Sequence, residues 1–160
     1  MLKKIIIIIL LVLSFSLISG STLPSFNIET LQGEILKSED LLKEGIIYLD
    51  FWATSCQPCL RLLPHISGFV EKYPDVNFIA VSIDSPRNKN NVSRLVRSQK
   101  FEFINGFDSS KALQKLFNVT SIPRSLIIDQ SGKIIYDHTG FNAGDEKKIE
   151  EAIINALKGE

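Results

Sequence analysis

The chain has 160 residues, 18 basic and 18 acidic side chains, and two cysteines. So even a charge balance gives no electrostatic case for nucleic acid or for an anionic membrane surface. The length suits one domain with a proper core, and no internal repeat, low-complexity tract or long linker interrupts it. The first segment reads as a targeting signal. Lys3 and Lys4 precede a run from Ile5 to Ile18 that is apolar apart from Ser14 and Ser16, and Ser19-Gly20-Ser21 supplies small residues for a peptidase. Cleavage is expected after Ser21, which makes residues 1–21 a signal peptide and 22–160 the working domain. The alternative is an uncleaved anchor, because no charge falls between Lys4 and Glu29. The apolar run is short for a spanning helix, and no cysteine near the cleavage region permits a lipid anchor. Either way the rest of the chain is expected outside the cytoplasm, in the periplasm or on the outer face of the cytoplasmic membrane.

Beyond the leader, Phe26–Glu29 and Glu34–Leu36 read as a short hairpin around Leu31-Gln32-Gly33. Ser38–Lys43 predicts a turn or two of helix ending at Gly45. Ile46–Phe51 predicts a buried strand, and Gln57–Lys72 a helix kinked by Pro64. Val76–Ile83 is a second strand, rich in β-branched and apolar residues. Asn90–Gln99 predicts a helix with Val92, Leu95 and Val96 on one face. Phe101–Ile104 suggests a short strand, and Ser109 or Ser110 a cap for a helix running to Phe117. Ser125–Asp129 and Lys133–His138 predict strands joined by the turn Gln130-Ser131-Gly132. Asp145–Leu157 closes the chain as an amphipathic helix with Ile149, Ala152, Ile153, Ala156 and Leu157 inward. This order argues an α/β sandwich of three layers.

The chemistry concentrates in Asp50-Phe51-Trp52-Ala53-Thr54-Ser55-Cys56-Gln57-Pro58-Cys59. Two cysteines three apart at a helix start lie on one face of its first turn. The helix N-terminus favours a thiolate on the outer sulfur through its partial positive charge and free N–H groups. Pro58 fits there because first-turn positions need no N–H partner. A purely structural disulfide is disfavoured, since so short a loop removes little unfolded-state entropy. A zinc site would need about four ligands, and only His65 and His138 are available to join the cysteines. Covalent haem attachment needs His straight after the second cysteine, where Leu60 stands. A reversible dithiol carries the most weight. Asp50 is either a buried carboxyl raised by desolvation and able to accept a proton from Cys59, or a partly exposed strand-end residue. Trp52 reads as core and shield. His65 reads as a surface or half-buried residue, and Arg61, Arg87, Arg94 and Arg97 as solvated helix charges.

These residues resemble the thioredoxin superfamily. The resemblance rests on the motif above, on Pro64 five positions after Cys59, on Ile122-Pro123 before a late strand, and on Gly132 and Gly140. The hairpin and the added segment from about Asp84 to Phe107 resemble its exported TlpA/ResA branch. The resemblance implies a three-layer α/β/α thioredoxin fold with an N-terminal β-hairpin and a central helix–strand insertion. It implies that Cys56 attacks a substrate disulfide, that Cys59 resolves, and that Asp50 is the buried acid. Pro123 would be the cis-proline facing the disulfide, and Ile122 would present backbone to the substrate. Trp52, Ser55, Gln57, Pro58 and Arg124 would line the substrate contact. Ser55 stands where relatives place a bulky residue, and Arg124 where Thr is common, so a cation beside the groove is expected to favour acidic partners.

The expected activity is that of an exported thiol–disulfide reductase, since Gln57-Pro58 offers no His to make the pair a strong oxidant. The alternatives are an oxidase or isomerase of disulfides, or a module binding metal through its thiols. No metal or organic cofactor is expected beyond the Cys56–Cys59 dithiol. The expected partners are exported proteins with disulfides, apocytochromes among them, and a membrane thiol-transfer donor of electrons. The protein is expected to act as a monomer.

Overall fold

A computed structural model describes residues 22–159, so the expected leader lies outside the described residues. A hairpin of β1 (Asn27–Glu29) and β2 (Ile35–Lys37) leads into α1 (Ser38–Glu44). Then follow β3 (Ile46–Trp52), α2 (Gln57–Lys72), β4 (Val76–Ser82), a 3-10 turn (Pro86–Asn88), α3 (Lys89–Gln99) and β5 (Ile104–Phe107). The chain ends with α4 (Ala112–Leu116), β6 (Arg124–Ile128), β7 (Ile134–Thr139) and α5 (Asp145–Lys158). One five-stranded sheet has the order β5-β4-β3-β6-β7. Strands β4 and β3 are parallel, as are β5 and β4, while β6 and β7 run antiparallel to their neighbours.

Strand alternation sorts the core into two layers. Tyr48 and Trp52 of β3 pack with Leu62, Leu63 and Ile66 of α2, Val92 and Val96 of α3, and Ile149 and Ile153 of α5. Ile47, Leu49 and Phe51 face the other way, onto Phe26, Leu41, Leu113 and Phe117. Strand β3 is buried along its whole length. That burial explains why it reads as a continuous apolar run rather than an alternating one. Gly45 ends α1 with extended φ, so freedom of φ does not explain it. A Cβ there would sit 2.2 Å from the Asp75 carbonyl oxygen, so the close approach of backbone demands glycine.

Three local expectations are corrected. The strand expected at Phe101–Ile104 lies at Ile104–Phe107, because its register is set by β4, with Ile79 opposite Ile104 and Ser82 opposite Phe107. Phe103 serves the core ahead of that strand, and Phe101 stacks on it. The cap expected of Ser109 or Ser110 is supplied mainly by Asp108, whose carboxylate accepts from the Leu113 and Gln114 amides at 3.2 and 2.7 Å. A carboxylate accepts two amides where a hydroxyl offers less. Leu157 is 41% exposed rather than inward, since the last turn of α5 runs beyond the layer that Ile149 and Ile153 bury.

Candidate active site

Cys56 is the residue that caps α2, and its sulfur accepts a hydrogen bond from the Cys59 amide at 3.3 Å. Pro58 occupies the first turn, where its missing N–H costs nothing. Cys56 and Cys59 form a disulfide with their Cα atoms 5.3 Å apart. Cys56 is half-buried, flanked by exposed Ser55 and Gln57, while Cys59 is fully buried. The pair is therefore asymmetric, with Cys56 partly exposed and Cys59 inside. Trp52 is buried in the layer that holds Cys59.

The Ile122–Pro123 peptide is cis, and Pro123 is buried. The antiparallel register sets Arg124 opposite Phe51, which brings Pro123 to the end of β3 that leads into Cys56. The Gly140 amide donates to the Pro123 carbonyl at 2.8 Å and ties that turn to the segment before α5. Ile122 is half-buried between the two core layers.

Asp50 is 0% exposed, so the partly exposed alternative is excluded. It shares its sheet face with Tyr48 and Trp52, under α2 and Cys59. Ser125 stands opposite it in the register and donates to its Oδ1 at 2.8 Å, while its Oδ2 has no partner. Burial pushes the carboxyl up to about 8, against the Ser125 hydrogen bond, which pulls it down. The Tyr48 hydroxyl donates to Ser125 Oγ at 2.9 Å.

Arg124 does not offer a free cation. Its guanidinium donates to both oxygens of Asp137, at 3.0 and 2.8 Å, and to the carbonyls of Phe117 and Asn118. A charge paired this fully has little left to attract acidic partners. It clamps the α4–β6 connection instead.

Two groups of residues escaped the reading of the sequence. One is the buried Tyr48–Ser125 pair. The other is Asp84, whose carboxylate accepts from the Thr54 amide at 2.8 Å, the Thr54 hydroxyl at 2.7 Å, Ser82 Oγ at 2.9 Å and Asn88 Nδ2 at 2.5 Å. Burial works to raise that carboxyl, but the bonds from Thr54, Asn88 and Ser82 outweigh it and hold Asp84 below the usual range. Thr54 lies two residues before Cys56, so Asp84 ties the loop holding Cys56 to the segment that leads into α3. A polar residue interrupting an apolar strand marks Ser125, and an acid just past a buried strand marks Asp84. Neither signal names the partner without the register.

Among the described residues, no group of three or more His, Cys, Asp or Glu side chains is placed to hold a metal. No helix among them is long and apolar enough to cross a membrane.

The family model for thioredoxin-like proteins matches residues 44–134. The thiol-disulfide oxidoreductase ResA of Bacillus thuringiensis is 26% identical over 121 residues, covering 76% of this chain and 69% of that one. The ResA of Halalkalibacterium halodurans is 28% identical over 144 residues, covering 89% of this chain and 78% of its own. A solved structure from Chlorobium tepidum, described as a thiol:disulfide interchange protein DsbE, superposes with a TM-score of 0.78 at 30% identity, covering 89% of this chain and 99% of that one. The matched span contains the cysteine pair, the buried acid and the cis-proline, and the chain belongs to the thioredoxin-like family, in its TlpA/ResA-like branch of thiol–disulfide oxidoreductases.

Proposed function

We propose that the protein is exported and reduces disulfides of other exported proteins. The observation that carries this reading is the asymmetric pair, a half-buried Cys56 bonded to a fully buried Cys59. The Cys56 thiolate attacks a substrate disulfide, forms a mixed disulfide and expels one substrate thiolate. The Cys59 thiol then loses its proton to Asp50 and attacks the Cys56 sulfur. That step releases the second substrate thiolate and restores the Cys56–Cys59 disulfide. The substrate strand lies beside the Ile122–Pro123 turn and pairs by main-chain hydrogen bonds with Ile122, since Pro123 has no N–H and its carbonyl already accepts from Gly140. Trp52 backs the pair from the core, and Ser55, Gln57 and Pro58 form the rim that the partner meets.

The dithiol is itself the redox centre and takes no further cofactor. Export rests on the basic and apolar leader. A reductase in an oxidising compartment needs a membrane thiol-transfer donor of electrons. Its substrates are disulfide-bearing exported proteins, with apocytochromes the class that the ResA resemblance suggests. Cys59→Ser is expected to accumulate mixed disulfides with partners on non-reducing gels, while Cys56→Ser is not. Equilibration of the domain with glutathione buffers is expected to place the couple in the lower half of the roughly −270 to −120 mV spanned by known dithiol proteins. Mixed disulfides on Cys56→Ser alone would reverse the cysteine roles. A potential near −120 mV would make the protein an oxidase.

A further inference from the structure

We infer that Ser125, oriented by Tyr48, is a positioning residue that sets how readily Asp50 takes and gives a proton. The inference rests on the reading of Asp50 as proton partner of Cys59, yet its first test does not depend on catalysis. Tyr48, Asp50 and Ser125 all turn toward the layer under α2, and all are fully or almost fully buried. Tyr48 Oη lies 2.9 Å from Ser125 Oγ, which lies 2.8 Å from Asp50 Oδ1. The three groups therefore form one line of hydroxyl, hydroxyl and carboxyl.

A hydroxyl has one proton to give and two lone pairs to receive with. With Asp50 ionised, one orientation satisfies the whole line, in which Tyr48 donates to Ser125 and Ser125 donates to Asp50. Burial and the nearby Asp50 charge raise the Tyr48 hydroxyl well above its ordinary range, so it stays a donor throughout. With Asp50 neutral, a proton on Oδ1 would compete with the Ser125 proton. A proton on Oδ2 finds no acceptor, because that oxygen is buried and unpartnered. The line thus favours the carboxylate, while the apolar surroundings favour the acid. A strand position filled only for packing would be served as well by Ala.

Among the described residues, few other groups face this site with charge. From β4, Ala80 stands opposite Asp50, and from β7, His138 stands opposite Ser125 and Tyr136 opposite Ile127. Asp145 approaches His138 from α5 at 3.8 Å and is itself paired with Lys148. The α2 helix supplies Cys59 with apolar Leu62, Leu63 and Ile66, and α5 supplies Ile149 and Ile153.

The test follows the Asp50 carboxyl carbon by NMR across pH in the oxidised protein, with Asp50→Asn assigning the signal. The wild-type carboxyl, raised by burial, is expected to titrate at about 8. Ser125→Ala is expected to move that midpoint up by about one to two pH units, the worth of one hydrogen bond to a charged group. Tyr48→Phe is expected to move it up by less, and keeps the inference testable should Ser125→Ala fold poorly. His138→Gln is expected to leave it in place. A midpoint unmoved in Ser125→Ala and Tyr48→Phe, or moved as far by His138→Gln, overturns the inference. Catalysis is read separately with a nitroaryl disulfide, whose second coloured thiolate is released when Cys59 attacks the mixed disulfide. Its pH inflection is expected to follow the NMR midpoint in every variant. An NMR midpoint that moves while that inflection stays fixed upholds the role of Ser125 and refutes Asp50 as the proton acceptor of Cys59.

Discussion

Asp50 makes the fold pay for a buried acid in a way that pH reveals. Burial raises its carboxyl to about 8 in the folded protein, against about 3.9 in an unfolded chain. The folded value is the raised one, so the unfolded state loses its proton first. Stability from this group is fully present below about pH 4 and is lost as pH rises toward 8. Each pH unit in that window costs about 1.4 kcal/mol, or about 4 kcal/mol by pH 7. Asp50→Asn removes the titration and leaves every other group in place, so the difference between the two proteins isolates Asp50. The amide brings one extra buried N–H, which costs roughly 1–3 kcal/mol at every pH. The variant is therefore expected to be slightly less stable than wild type near pH 4.5 and clearly more stable above pH 7. The measurement is denaturant unfolding of both proteins, disulfide intact, from pH 4.5 to 8.5. A stability difference that stays flat across that range would refute a raised carboxyl and with it the proton chemistry assigned to Asp50.

Asp84→Asn, which removes the charge on which Thr54, Ser82 and Asn88 converge, should destabilise the protein at pH 7 by about 1–3 kcal/mol. Asp84 is held below its usual range, so this stabilisation is present above about pH 4 and lost below it, and the unfolding curves of variant and wild type should converge in acid. Arg124→Ala should cost about 2 kcal/mol through loss of its bonds to Asp137 and to the Phe117 and Asn118 carbonyls. Rates with acidic and basic disulfide peptides should change together in that variant, and a selective loss of the acidic peptide would restore Arg124 to substrate recognition.

The layers were legible in the sequence wherever burial wrote a pattern. The continuous run of β3 and the spacing of Val92 with Val96 or Ile149 with Ile153 gave their elements within a residue or two. The cysteine pair was legible because its chemistry is local, with cap, proline and both sulfurs inside one turn. What stayed hidden depends on register. Phe101–Ile104 looks like a strand by composition, yet the ladder with β4 begins at Ile104. Arg124 looked like a cation for partners because Asp137, thirteen residues away, gave no sign of pairing with it. Ser125 and Tyr48 lie 77 residues apart and meet only because β6 runs antiparallel to β3.

The same register bears on the direction of electron flow. An ionised Asp50 would repel a thiolate and hold the couple reducing, but a carboxyl at about 8 is mostly neutral at pH 7. A carboxyl held mostly neutral contributes little charge to the pair near pH 7. Stabilisation of the Cys56 thiolate is left to the Cys59 amide and the helix start, with neutral Ser55 and Gln57 on either side. That falls short of the added cation or imidazole a strong oxidant uses. In the proposed mechanism Asp50 supplies a buried proton site whose carboxyl, raised to about 8, both takes and gives a proton near neutral pH. A proton shared on such terms crosses in either direction at little cost, which serves resolution by Cys59 and its reverse alike. Asp50→Asn should accordingly slow both by similar factors, on the order of 10²–10⁴. The potential should shift by less than about 30 mV, the equivalent of a tenfold change in equilibrium. Stopped-flow oxidation with a nitroaryl disulfide gives the first rate, reduction by dithiothreitol the second, and glutathione buffers the potential. A large shift in potential, carried by unequal changes in the two rates, would mean that Asp50 acts by its charge after all, and that the direction of electron flow is set by the buried acid rather than the helix start.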